Sequence, residues 1–298
     1  MSHQQQSDQT KAVSGLNVGN VLPSFSEQAS SSSLYVCISE LIMEKVFFHP
    51  GFPASEQELD AVEKDAIQAL LGEQSSDEFF VSTLVNEIKA AVTPEHKVIS
   101  VELNDATSYE MSALLGGKVE SDEINPQLGL RGVSRLTSEA YQASFALECE
   151  VIKALRSEGY NVEIVVPCVR ALSDAAKIID RLAERGLPRG LNGLKVMFAC
   201  DTPSAVLLSE RLLHYFDGLV IKLESLTQLT LGVDLMHEEL AHLYDPQNEA
   251  VLALVKQAVN ACKDVNKPAA VLLDNLAELP LLAELLQDES GVTVFPVS

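Results

Sequence analysis

The chain has 298 residues, with 43 acidic and 21 basic side chains, so its formal net charge is −22. That charge excludes general electrostatic binding to nucleic acid or to an anionic membrane, because a phosphate backbone needs a basic footprint. Hydrophobic residues make up 47% and charged residues 21%, the balance of a globular chain and not of a disordered one.

No run reaches the ~18 uncharged apolar residues of a membrane span. The opening stretch MSHQQQSDQTK holds no apolar signal core. The five cysteines, Cys37, Cys149, Cys168, Cys200 and Cys262, are widely spaced and form no CxxC pair. They are expected to be buried reduced thiols in a cytoplasmic protein.

Residues 1–33 are rich in Ser and Gln and end in Ser30-Ser31-Ser32-Ser33. They read as a low-complexity, disordered tail, with at most one anchoring turn near Val21–Phe25. From Leu34 the texture is even to the end, so residues 34–298 are expected to form one domain. Short apolar runs recur at Leu34–Ile38, Val98–Leu103, Val162–Val166, Leu194–Ala199, Leu219–Leu223, Ala269–Leu273 and Val292–Val297. Each suits a parallel strand covered on both faces. A further short strand at Leu128–Gly132 brings the expected number to eight.

Helical patterns fill the gaps, over Glu56–Leu71, Glu78–Ala91, Ser138–Arg156, Ser173–Arg185, Ser204–His214, Asn248–Lys263 and Leu276–Leu286. Strands alternating with helices at even spacing predict a (β/α)₈ TIM barrel. No GxGxxG follows a strand, which weighs against a dinucleotide-binding sheet.

A barrel builds its site from the C-terminal ends of its strands. Those positions hold Glu40, Glu102, Asp105, Arg131, Arg170, Asp201, Glu224 and Asp274. The expected mouth is mostly carboxylate, with two arginines. Crowded carboxylates raise one another's pKa unless a cation joins them. Asp201 and Glu224 are the candidate ligands for Mg²⁺, a hard cation that takes one or two carboxylates plus substrate and water.

Three segments carry a resemblance. Asn125-Pro126-Gln127-Leu128-Gly129-Leu130-Arg131-Gly132-Val133-Ser134-Arg135 looks like an NP-x-LG-x-RG-x-x-R motif, with Phe145–Cys149 fitting the helix after it. Arg189–Val196 resembles an RG-x-NGL-x-V lead into a strand. Ser225–Asp234 resembles a DLTQLTLG-x-D run. All three are similar to the phosphoenolpyruvate (PEP)-utilising enzymes, and more narrowly to the C-terminal barrel of the PEP synthases. The likeness runs from about Leu34 to Val297 and implies the barrel that periodicity already suggests.

The resemblance also implies a small anionic ligand (PEP, pyruvate or another 2-oxo acid) and a homodimer. Arg131, Arg170 and Gln228 are the expected ligand-binding residues. The departures from the pattern matter more. The arginine of the family's first strand segment falls on Ile38, and a second arginine falls on Glu102, a charge reversal. The family's metal-binding glutamate corresponds to Asp201, and its Asn-Asp pair to Glu224-Ser225. The proton-transferring cysteine near the end of the barrel falls close to Leu272.

Each arginine that holds the ligand would add charge-assisted bonds worth about 1.5–3 kcal/mol, so their loss weakens PEP binding by a large factor. A leucine moves no proton. The expectation is a stand-alone, catalytically degenerate barrel acting by ligand binding or assembly. The alternative is a Mg²⁺-dependent lyase or phosphotransferase-like enzyme on PEP, pyruvate or another 2-oxo acid.

Overall fold

The computed structural model describes residues 16–24, 28–235, 237–289 and 291–297. Nine parallel strand segments form one sheet. They are β1 (Asn17–Val18), β2 (Asn20–Leu22), β3 (Ser33–Cys37), β4 (Val98–Glu102) and β5 (Val162–Val166), then β6 (Val196–Cys200), β7 (Leu219–Lys222), β8 (Ala269–Leu273) and β9 (Val292–Pro296). The order is β1-β9-β8-β7-β6-β5-β4-β3-β2. Because β1 and β2 are consecutive in the chain, the two ends of this order meet at Gly19.

Segment 17–22 is therefore a single barrel strand that changes partner halfway. Asn17 and Val18 pair with Thr293 and Val294 of β9, and Asn20–Leu22 pair with Leu34–Val36 of β3. The Gly19 amide donates to the Val294 carbonyl at 2.8 Å. The barrel is closed, with eight strands and helices between them.

One expectation is refined here and one is corrected. Within 1–33, Asn17–Leu22 form the closing strand, while residues 1–15 and 25–27, including Phe25 of the expected turn, lie outside the described residues. The side chain of Gln28 exchanges bonds with both backbone groups of Val21, and Ser31 Oγ donates to the Val18 carbonyl, so polar residues knit this segment down. Leu128–Gly132 is not a strand. Pro126–Leu128 makes a short 3₁₀ turn, and Gly132 sits at φ 55°. A Cβ on Gly132 would lie 2.2 Å from Cys168 Cβ, so this loop must lie flat on the β5 end and cannot pair as a strand.

The other seven expected strands are present within two residues at each end. Alternate strand residues divide the molecule into two apolar layers. Leu34, Val36, Ile99, Val101, Ile164 and their like face outward into the helices. Val21, Tyr35, Val165, Met197, Val220 and Phe295 face inward and fill the barrel. Inward polar side chains pair with each other, as where Ser100 Oγ donates to Glu163 Oε1 at 2.7 Å.

The closing strand has one strict steric demand. A Cβ on Gly19 would stand 2.1 Å from Phe295 Cε1, and the Phe295 ring is buried against Tyr35. Gly19→Ala is expected to lower stability by about 1–3 kcal/mol, the usual cost of overpacking. Urea denaturation measures it, and an unchanged midpoint would show that Phe295 has room to move.

Candidate functional site

The C-terminal ends of the strands open into a cavity of about 440 Å³. Its walls include Cys37, Asp105, Arg131, Lys222, Gln228 and Leu272. At its centre is a group that strand-end reading passed over. Lys222 is the last residue of β7, and alternation with Val220 turns it inward. Its ammonium is 3.0 Å from Glu102 Oε1, donates to Glu102 Oε2 at 3.1 Å, and donates to Asp105. The side-chain exposures are 11% for Lys222, 1% for Glu102 and 20% for Asp105.

The charges sort themselves by burial and partner. Burial pushes Glu102 up to about 8, although Lys222 pulls it down, so near neutral pH it retains a proton. Burial would also raise Asp105, but Lys222, the Ser39 hydroxyl and Arg131 outweigh it and hold it below the ordinary range. Burial would lower Lys222, but Asp105, Glu102 and Asp201 overcome it and keep the ammonium charged. The working pair near pH 7 is thus Lys222⁺ with Asp105⁻, backed by a neutral Glu102.

The sequence-predicted residues take different places. Arg131 and Gln228 line the cavity. Gln228 is tied on both sides, donating to Glu224 Oε1 at 3.1 Å and accepting from the Leu235 amide at 3.1 Å. Arg170 is not on the cavity wall. It donates to the Arg131 carbonyl at 3.2 Å and to Ser134 Oγ at 2.9 Å, so it holds the loop that carries Arg131. Glu40, Glu224 and Asp274 lie around the cavity wall. Burial, then neighbouring carboxylates, raise Glu40 and Glu224.

Asp201 is buried, and its Oδ2 accepts the Cys168 amide at 2.6 Å. Its Oδ1 is buried without a hydrogen-bond partner. One orphaned oxygen would suit a cation, but the surroundings do not. The charges that act most on Asp201 are those of Lys222, Arg131 and Asp105, and those on Glu224 are Asp274, Lys222, Asp105 and Glu110. The two carboxylates are not each other's main neighbours, and the ammonium of Lys222 acts on both. Among the described residues no group of three or more His, Cys, Asp or Glu is placed to hold a metal ion. These positions fit an ammonium already present better than an added Mg²⁺.

Behind the mouth lies a buried polar network. Arg135 pairs with Glu120, donates to Ser108 Oγ at 3.1 Å, and lies 4.7 Å over the Tyr141 ring. His49 Nδ1 accepts the Gly51 amide, so its Nε2 carries the proton given to Glu120 at 2.7 Å. Tyr141 donates to Glu148, which also accepts the Asn104 amide. Asn104 adjoins Asp105, so the network fixes the root of the mouth loop.

The five cysteines are free thiols, four of them buried and Cys37 half-buried. Among the described residues no helix is long and apolar enough to cross a membrane.

Comparison with known proteins agrees with this architecture. The family described as PEP-utilising enzyme, PEP-binding domain, matches residues 47–286. Phosphoenolpyruvate synthase of Pseudomonas aeruginosa is 38% identical over 283 residues, covering 92% of this chain and 36% of that protein. That of Escherichia coli is 41% identical over 206 residues, 67% of this chain and 26% of that protein. That of Helicobacter pylori is 34% identical over 298 residues, 97% of this chain and 36% of that protein. The chain thus spans about a third of the length of these relatives. A family match over most of the chain, and synthase relatives at this identity, leave one assignment: the chain belongs to the PEP-utilising enzyme family and corresponds to its C-terminal barrel domain.

Proposed function

We propose that this barrel holds a small 2-oxo acid or a related carboxylate at its mouth and does not turn it over. One observation carries the reading. Leu272, which the resemblance sets near the proton-transferring thiol, lines the cavity beside Lys222, its neighbour in the sheet register. An alkyl side chain neither takes nor gives a proton. The cavity has a thiol of its own, Cys37, but burial and then Glu102 push it well above the ordinary cysteine range, which disfavours the thiolate.

Arg131 and Lys222 remain as cations for a ligand carboxylate. The cytoplasmic setting and the homodimer belong to the same proposal.

The second reading, a Mg²⁺-dependent enzyme on PEP, pyruvate or another 2-oxo acid, is favoured only by the orphaned Asp201 Oδ1. The two differ in a direct measurement. Pyruvate in D₂O is followed by proton NMR for loss of the methyl signal, with Mg²⁺ and with EDTA, alongside calorimetric titration with pyruvate and oxalate. Binding without methyl exchange above the buffer rate is expected. Exchange that EDTA abolishes would establish the enzyme reading instead.

A further inference from the structure

We propose that Asp105 is a tethered occupant of the barrel's own anion site and sets how tightly the mouth holds a ligand carboxylate. The inference rests on the reading of the mouth as a binding site. It concerns the charge that an incoming ligand must displace.

Two donors and a further cation converge on this carboxylate. Lys222 donates to Oδ2, Ser39 Oγ donates to Oδ1, and Arg131 acts on it by charge. An ammonium, a hydroxyl and a guanidinium are also the donor set that a small carboxylate ligand would need. Asp105 thus makes, from within the chain, the contacts that a ligand would make from outside. Its place suits that role. Asp105 lines the cavity and is 20% exposed, whereas Glu102, the other partner of Lys222, is sealed at 1%. A molecule entering the mouth reaches Asp105 first.

The tether is short. Residues 103–107 run without regular structure between β4 and the helix Ser108–Ser112. Both sides of Asp105 are pinned. The Asn104 amide bonds Glu148 at 2.9 Å, and the Asn104 side chain bonds the Tyr141 hydroxyl at 2.8 Å. Thr107 caps the following helix with Glu110 in a reciprocal box. Only Asp105 and Ala106 lie between these anchors, so the carboxylate leaves by rotating its side chain while the backbone stays in place. A group tethered at such short range competes at high effective concentration. The wild-type mouth is therefore a weak site for carboxylates, because its cations are already engaged.

The test is calorimetric titration of the full chain with oxalate. Asp105→Asn keeps the shape and the Ser39 contact but removes the competing charge. It is expected to bind oxalate about tenfold more tightly than the wild type, the worth of one charge-assisted bond. Asp105→Ala removes the group altogether, and the same gain is expected should the amide variant fold poorly. Adding Lys222→Gln to Asp105→Asn is expected to erase the gain, and circular dichroism checks that each variant is folded. The role is overturned if neither Asp105 variant binds more tightly than wild type, if neither binds oxalate at all, or if the gain survives without Lys222. Wild-type binding and methyl exchange decide the binding proposal, whereas the ratio of variant to wild type decides the role of Asp105.

Discussion

Arg135→Met is expected to lower folding stability by about 3–5 kcal/mol, the usual result of removing one partner from a buried ion pair. The Arg135 side chain is 2% exposed and its partner Glu120 11%. Glu120 now sits below the ordinary carboxylate range: burial would raise it, but His49 and Arg135 outweigh burial. Without the guanidinium, Glu120 keeps the His49 ring at 2.7 Å and the Ser108 hydroxyl but loses its arginine counter-charge. The stacking of Arg135 on Tyr141 is lost as well. Urea denaturation at neutral pH measures the loss. Adding Glu120→Gln removes the orphaned charge, so the double variant is expected to recover part of the deficit. A double variant that simply sums the two single losses would show that the pair is not coupled.

This pair also shows what the sequence can and cannot convey. Arg131 and Arg135 stand in one motif, and the resemblance marks both as family residues. Only Arg131 reaches the cavity, while Arg135 turns back into the helical layer. Sequence spacing does not tell them apart, because the loop that carries them has no period. Seven strands were legible because each is a short apolar run between polar punctuation. The eighth was not, because Asn17–Leu22 is interrupted by Gly19 and lies within the Ser/Gln-rich stretch. Of its partners, Leu34–Val36 follow closely, but Thr293–Val294 lie at the far end of the chain. Leu128–Gly132 has the apolar look of a strand, but Gly132 adopts a left-handed backbone that strands exclude.

In the site, the acidic character of the mouth was legible, but its central cation was not. Reading strand ends as the residue after each apolar run selected Glu224 and skipped Lys222, which sits inside the run. The alternation Val220, Lys222 was the available signal, since a barrel strand turns every second residue inward. The reversal at Glu102 then has a physical reading. Glu102 faces an ammonium across the barrel, so the new acid carries its own counter-charge. Asp201, the candidate metal ligand, lies under the combined influence of Lys222 and Arg131.

Lys222→Met follows from that arrangement and has a distinctive dependence on pH. Lys222 is the principal cation for two carboxylates inside the barrel, and its loss leaves both without their main counter-charge. A deficit of about 3–5 kcal/mol is expected at neutral pH. The folded-state pKa of Asp105 is depressed, so its stabilising contribution is present above the ordinary aspartate range and disappears as pH falls through the folded value. Without Lys222, only the Ser39 hydroxyl and Arg131 oppose burial at Asp105 and that contribution shrinks, so the gap between wild type and variant should narrow as pH falls below the ordinary aspartate range and through the folded value.

Glu102 acts at the other end of the scale. Its folded-state pKa is about 8, above the ordinary glutamate value, so it withdraws stability as pH rises from the ordinary range towards 8. In wild type that loss levels off above 8, because the ionised carboxylate then faces Lys222. In the variant, proton retention extends to higher pH and the loss continues. The gap between the two proteins is therefore smallest in acid below the ordinary aspartate range, intermediate at neutral pH and widest above about pH 9. Urea denaturation across that range measures it, with Lys222→Arg as the control that keeps a cation in the barrel. A deficit of constant size at every pH would mean that Lys222 stabilises the mouth by packing its stem, and not by answering the charges of Asp105 and Glu102.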